Sequence, residues 1–219
     1  MRSEQRLFAA LEAGQIETVR ELIAGDHTLV NARNTSGLSA ILVATYYGRS
    51  EITKLLIDAG AHLTIHEAAA TGAQERVDQM LQKEPSAINS YSTDGWTPLH
   101  LAVFFGRVNV VHLLHSKGAD LNAVSKNEQQ VRPLHSALSN PNNAAVAQLL
   151  IGYGADVNAT QAQGYTPLHF AASNGLESIV RNLLALSVDR NARDVAGKTA
   201  YDLAKETGHT TVALLLKAN

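Results

Sequence analysis

Apolar residues recur along this chain in short stripes of helical spacing. Val110-Val111-His112-Leu113-Leu114 and Ile179-Val180-Arg181-Asn182-Leu183-Leu184 are two of them. Ahead of each stripe lies a shorter segment rich in alanine, such as Ala171-Ala172, where small side chains let a neighbouring helix approach closely. The pattern predicts pairs of short helices, the second more amphipathic than the first. Glycines punctuate the pairs. Gly14, Gly48, Gly72, Gly106, Gly175 and Gly208 stand where the first helix of a pair should end, as the left-handed cap that glycine adopts without steric cost.

The pairs repeat. Thr97-Pro98-Leu99-His100-Leu101-Ala102 returns as Thr166-Pro167-Leu168-His169-Phe170-Ala171, and Arg132-Pro133-Leu134-His135-Ser136-Ala137 is a near copy. A degraded version closes the chain at Gly197 to Ala204. Proline suits the first helical turn, where its missing N–H is no loss. Taking the alanine two residues after the histidine as a ruler gives Ala10, Ala44, Ala68, Ala102, Ala137, Ala171 and Ala204, at intervals of 34, 24, 34, 35, 34 and 33. A period in the low thirties signals a solenoid of one small unit. Loops of the form Gly-Ala-Asp-Leu/Val-Asn-Ala at 118–123 and 154–159 close two of the units; Gly and Asn there suit turns with positive φ.

These phrases and loops resemble the ankyrin repeat family, over roughly residues 4 to 219. The resemblance implies an all-α solenoid of stacked helix–turn–helix units with β-hairpin-like loops at about a right angle. The chain then reads as a single domain, 1–219, with repeats at approximately 4–36, 37–63, 64–94, 95–130, 131–163, 164–196 and 197–219. Seven layers at about 8–10 Å make a curved rod roughly 60 Å long. The short 24-residue interval removes the projecting loop at a junction near 60–65, and the third unit looks like a second start: like the first, it lacks Thr-Pro. Two blocks are expected, units one to two and three to seven. In the fifth unit Asn140-Pro141-Asn142-Asn143 replaces the helix-ending glycine and should give a longer turn.

Composition narrows the functions. Formal charge is -2, with 18 basic and 20 acidic residues and no block of like charge, so neither a nucleic-acid footprint nor a polybasic membrane patch is expected. Cysteine is absent, which removes disulfides, thiolate metal sites and cysteine nucleophiles. No apolar run approaches the roughly 18–20 residues that span a bilayer. The reading is a soluble cytoplasmic protein, with a secreted effector as the other possibility, monomeric and without cofactor. Serine-nucleophile, phosphate-loop and His-Glu-x-x-His motifs are missing, so no catalytic residue and no enzyme activity is expected.

Four histidines, His66, His100, His135 and His169, fall in the repeated phrase, and the resemblance gives them a structural hydrogen-bonding role. His112 and His115, three apart, have ligand spacing but no third ligand. The loop residues Asn31, Asn89, Asn122, Asn158 and Asn191 read as turn formers. Aromatics are the functional signal. In this family the two residues before the helix-ending glycine lie on the concave side. Here they are Tyr46-Tyr47 and Phe104-Phe105, with Ala70-Thr71 between them. Trp96 and Tyr165 follow opening glycines above the same groove, and Tyr91 leads into Trp96. Such clusters are what interface hot spots look like, although one ring of each pair could instead pack beneath its own loop. Two aromatic pairs flanking small residues predict a trough over the third unit. Three readings follow: a protein-binding module gripping another protein through these rings, with Arg33, Asn34, Asp94, Ser173 and Asn174 as polar rim; a small-ligand or regulatory site in the trough; or a structural, oligomerising role.

Overall fold

A computed structural model describes residues 3–217. Its helices alternate inner and outer. The inner helices are α1 (Ser3–Ala13), α3 (Ala40–Tyr46), α5 (Ile65–Thr71), α7 (Pro98–Phe104), α9 (Pro133–Leu138), α11 (Pro167–Ser173) and α13 (Ala200–Glu206). Each is followed by an outer helix: α2 (Ile16–Gly25), α4 (Ser50–Asp58), α6 (Gln74–Lys83), α8 (Val108–Ser116), α10 (Ala144–Gly152), α12 (Glu177–Ala185) and α14 (Thr210–Lys217). Consecutive inner helices stack on one another through the whole series. The fold is all-α; the described residues contain no named strand, only an isolated bridge between Arg33 and Ser39.

The repeated phrase is a capping device. Thr97 Oγ1 accepts from the His100 N–H, and the His100 ring returns Nδ1 to Thr97, closing a capping box. Proline occupies N1 beside it. Thr166 and His169 repeat the arrangement in α11, and His135 bonds the Arg132 N–H at the start of α9. Each ring's other nitrogen reaches the next loop: His100 Nε2 lies 3.0 Å from Val131 O, His135 3.1 Å from Ala159 O and His169 3.2 Å from Lys198 O. One side chain thus starts a helix and ties two layers.

Fingers and loops add two further ladders. Finger backbones pair from one layer to the next, through Lys126 N–H to Gly95 O, Ala162 N–H to Gln129 O and Val195 N–H to Gln163 O. The loop asparagines do more than shape turns. Asn31, Asn89, Asn122 and Asn158 each accept, through Oδ1, a backbone N–H of the following unit.

The junction between units two and three lacks these ties. Only Ala59 to Thr64 separate α4 from α5, so no finger forms. Thr64 stands where a loop asparagine would and caps α5 instead, with Glu67 completing the box. This corrects the register of the ruler in unit three. Glu67, not His66, fills the slot of His100, and the segment from cap to glycine is one residue shorter than in its neighbours (Thr64 to Gly72 against Thr97 to Gly106). His66, one position earlier, still reaches Ser90 O at 3.0 Å. Glu67 is 1% exposed and faces Arg33 of the first finger at 3.7 Å. Arg33 also donates to Gly37 O in its own finger. At the last finger Arg193 does the same to Gly197 O.

The core divides at this junction. One buried cluster runs from Leu7 to Ala61 and another from Ile65 to Leu216, with Leu63 packed against both. A small third cluster of Leu42, Ala70 and Leu101, covered by Leu38, Trp96 and Phe105, bridges them on the inner face. In unit five, the Asn140–Asn143 stretch forms a 3-10 turn over Pro141–Asn143 between α9 and α10.

Candidate functional site

The αL glycines end the inner helices so that the last turn of each points its side chains onto the inner face. On that face Tyr46, Tyr47 and Phe104 are 37%, 51% and 41% exposed. Phe105 and Trp96 are half-buried. Tyr46 spans the layer between: its ring lies 6.1 Å from Phe104 and 5.1 Å from Phe105, centroid to centroid, and Phe104 meets Phe105 edge-on at 5.0 Å. The contact closes the trough expected over unit three. Ala70 is fully buried beneath the bridging cluster, and what remains open is a cavity of ≈ 50 Å³ walled by Tyr46, Trp96, Leu101 and Phe104. The small residues of unit three leave no room because long aromatic side chains from both neighbours lean into it.

Burial, and behind it the nearby carboxylate of Asp94, pushes the Tyr46 phenol up to about 12. Asp94 is itself fixed in its finger by Ser92 Oγ at 2.6 Å. Tyr91 is elsewhere. Its hydroxyl donates to Val124 O and Lys126 sits 4.2 Å above its ring, so it fastens one finger to the next. Asn34 turns its Oδ1 onto the N–H groups of Ser36 and Leu38 within the first finger. Ser173 donates to Phe170 O, and Asn174 donates through Nδ2 to Leu138 O, which makes it a tie between layers.

A larger opening lies further along. A groove of ≈ 430 Å³ runs over units four to six, between Trp96 and Phe104 on one side and Phe170 on the other. Ser136 and Ser139 form its floor, and Gln129, Gln161 and Gln163 of the fingers form its edge. Tyr165 backs Phe170 at 5.6 Å. His135 lines the groove, and desolvation holds its pKa down at about 4, so the imidazole is neutral at pH 7 and the lining carries no charge. Phe170, the two serines and the three glutamines are additions to the residues read from the sequence. One signal for them existed. The position after the repeat histidine reads Leu101, Ser136, Phe170, a bulky–small–bulky step down adjacent layers.

The remaining histidine pair meets Tyr153 across α8 and α10: His115 stacks on the ring at 3.6 Å, and His112 Nδ1 bonds the hydroxyl. Among the described residues no three His, Cys, Asp or Glu side chains gather as a metal site, and no helix is long and apolar enough to cross a membrane.

Stacked helix pairs with capping-box histidines, fingers on one edge and an exposed aromatic inner face define a helical repeat protein. The family of ankyrin repeats (3 copies) matches residues 65–161 and 134–219, and the chain belongs to it. Curated relatives run through the first units too. The chain is 32% identical over 216 residues, 94% of its length, to a transient receptor potential cation channel subfamily A member 1 homolog of Caenorhabditis elegans. It is 28% identical over 74% of its length to the nuclear factor NF-kappa-B p105 subunit of Gallus gallus, and 29% over 80% to a B-cell lymphoma 3 protein homolog of Mus musculus. It spans 17%, 18% and 42% of those three proteins. Ankyrin repeats are in general protein–protein interaction modules.

Proposed function

We propose that this chain is a non-catalytic interaction module that grips another protein on its inner face, in the groove between Phe104 and Phe170. The observation that carries the reading is the uncharged lining of that groove: aromatic walls, a serine floor and an edge of primary amides. Such a surface suits an extended, neutral, apolar segment of a partner, with rings taking its side chains and glutamine amides its backbone. Tyr46, Tyr47, Trp96 and Phe105 extend the aromatic surface toward unit two, with Asp94 beside it. The module works as a monomer in the cytoplasm.

Capture from a native lysate tests it. Phe104→Ala and Phe170→Ala together should lower partner capture at least tenfold. Their cost in stability should be about 1–2 kcal/mol, since each ring is partly exposed and makes edge contacts. Undiminished capture by the folded double variant would sink this site.

A further inference from the structure

The finger side of the groove over units four to six carries one side chain per layer at a fixed place. Asp94, Gln129 and Gln163 each stand just before the left-handed residue of their finger: Gly95 (φ 83), Gln130 (φ 51) and Gly164 (φ 78). The turn bonds mark the register, with Gly95 N–H donating to Ser92 O, Gln130 N–H to Asn127 O and Gly164 N–H to Gln161 O. Gln129 and Gln163 are exposed, and no described residue hydrogen-bonds their side-chain amides. Asp94 holds the same place at the unit-four end. Its carboxylate takes the Ser92 hydroxyl and forms no ion pair among the described residues. The row therefore reads acid, amide, amide.

Opposite the row, the walls keep the same step. Phe104 and Phe170 stand two layers apart, with Ser136 and Ser139 on the floor between them. Layers of packed helices repeat at about 8–10 Å, so an occupant lying along the groove meets like groups at that interval. A polyproline II segment advances about 9 Å per turn of three residues, which returns every third side chain to the same face. A β-strand also covers about 10 Å in three residues, but its alternation turns the third side chain to the opposite face. The finger backbones are already paired across layers, so an occupant finds amide side chains rather than a sheet edge. Proline suits such a row twice over: its carbonyl accepts from an amide, and it has no N–H to leave unmet. An α-helix would face these amides with a backbone bonded to itself.

Resting on the groove reading above, we propose that the occupant is a proline-rich segment in the polyproline II conformation, with a basic residue where it passes Asp94. One turn lies over each layer, with apolar rings against Phe104 and Phe170 and carbonyls toward Gln129 and Gln163.

Calorimetry of the whole chain with synthetic peptides tests this. The probes are arginine followed by two Pro-Leu-Pro triplets, and the same sequence reversed, since such a segment can lie in either direction. At least one of the two should bind saturably at a single site. Exchange of its prolines for valine should weaken it about tenfold, because the preformed conformation is lost. Gln129→Ala with Gln163→Ala, both exposed and harmless to the fold, should weaken it about fivefold, and Asp94→Asn about threefold. Asp94→Asn should leave the affinity of the same peptide with leucine in place of arginine unchanged. No binding of either probe, equal affinity for the valine peptide, or unchanged binding in the glutamine pair or in Asp94→Asn would each overturn the proposal. If partner capture from lysate still depends on Phe104 and Phe170 in that event, the groove reading stands without this inference. If capture is indifferent to those rings as well, both fall.

Discussion

Units three and four are joined by several independent ties; units two and three, built from the same parts, share few of them. At the first junction Tyr91 donates to Val124 O, Asn89 accepts from Asp120 and Arg107 straps Ala70 O over Gly72. At the second, Leu42 stands in the histidine slot, Thr64 in the asparagine slot and Ala73 in the strap slot. What remains is the bridging cluster around Ala70, Leu63 and the Arg33–Glu67 pair. Stability in a solenoid is close to a sum over neighbours. Removing polar ties at one junction therefore weakens that junction without disturbing the rest. The polar ties are dispensable for stacking while apolar contact on the inner face persists, and their loss opens the opposite edge.

Acid should separate the two blocks most strongly. Desolvation holds His100 and His135 at about 4, against 6.5 for a free imidazole, and lowers His66 and His169 too. The unfolded chain therefore takes up these protons first. The stability they confer is complete above about pH 6.5 and is lost as pH falls toward 4. From pH 7 to pH 5, His100 and His135 should each forfeit about 2 kcal/mol. All four lie in units three to seven. Hydrogen exchange corrected for intrinsic rates should show those units opening at pH 5 while units one and two keep their protection; equal loss in both blocks would refute the assignment.

A smaller effect distinguishes a paired finger from a solitary one. Gly95 has φ 83, and a Cβ there would meet the Lys126 backbone at 2.8 Å; Gly37 has φ 80 and open space. Gly95→Ala should cost about 3 kcal/mol, combining left-handed strain with a backbone clash, and Gly37→Ala about 1 kcal/mol. Urea melts would show equal costs if the finger ladder were unimportant. The smallest effect concerns the repair at the junction. Arg33→Ala should cost about 1 kcal/mol, because the arginine is half exposed and the contact long, with the difference shrinking in high salt.

The regular layers were legible because their devices are local. Thr-Pro-x-His sets a cap four residues long, and a glycine five or so residues later must stop the helix; neither depends on distant chain. Unit three misled because His66 and Glu67 are adjacent and either can serve a cap. The histidine was the marker elsewhere, while α5 uses the carboxylate. The trough failed for a different reason. Whether Tyr46 and Phe105 meet above Ala70 depends on rotamers and on how closely two layers approach, and no single-layer pattern contains that. The missing strap, by contrast, was in plain view as Arg49, Ala73, Arg107 after successive glycines. Its meaning needed the structure, which shows what those arginines lie against.

Arg33 and Arg193 stand at the same place in their fingers, four residues before the glycine whose carbonyl each one holds. Arg193 does so in the last finger among the described residues. Arg33 does so where the next finger is missing. An unsatisfied strand edge invites pairing with another chain, and the same side chain blunts it in both places. Units one and two therefore carry the same sealed margin as the finger at Arg193, and unit three begins anew beside them. The chain carries an end in its middle, so a block could be exchanged or appended at that margin without exposing an open edge.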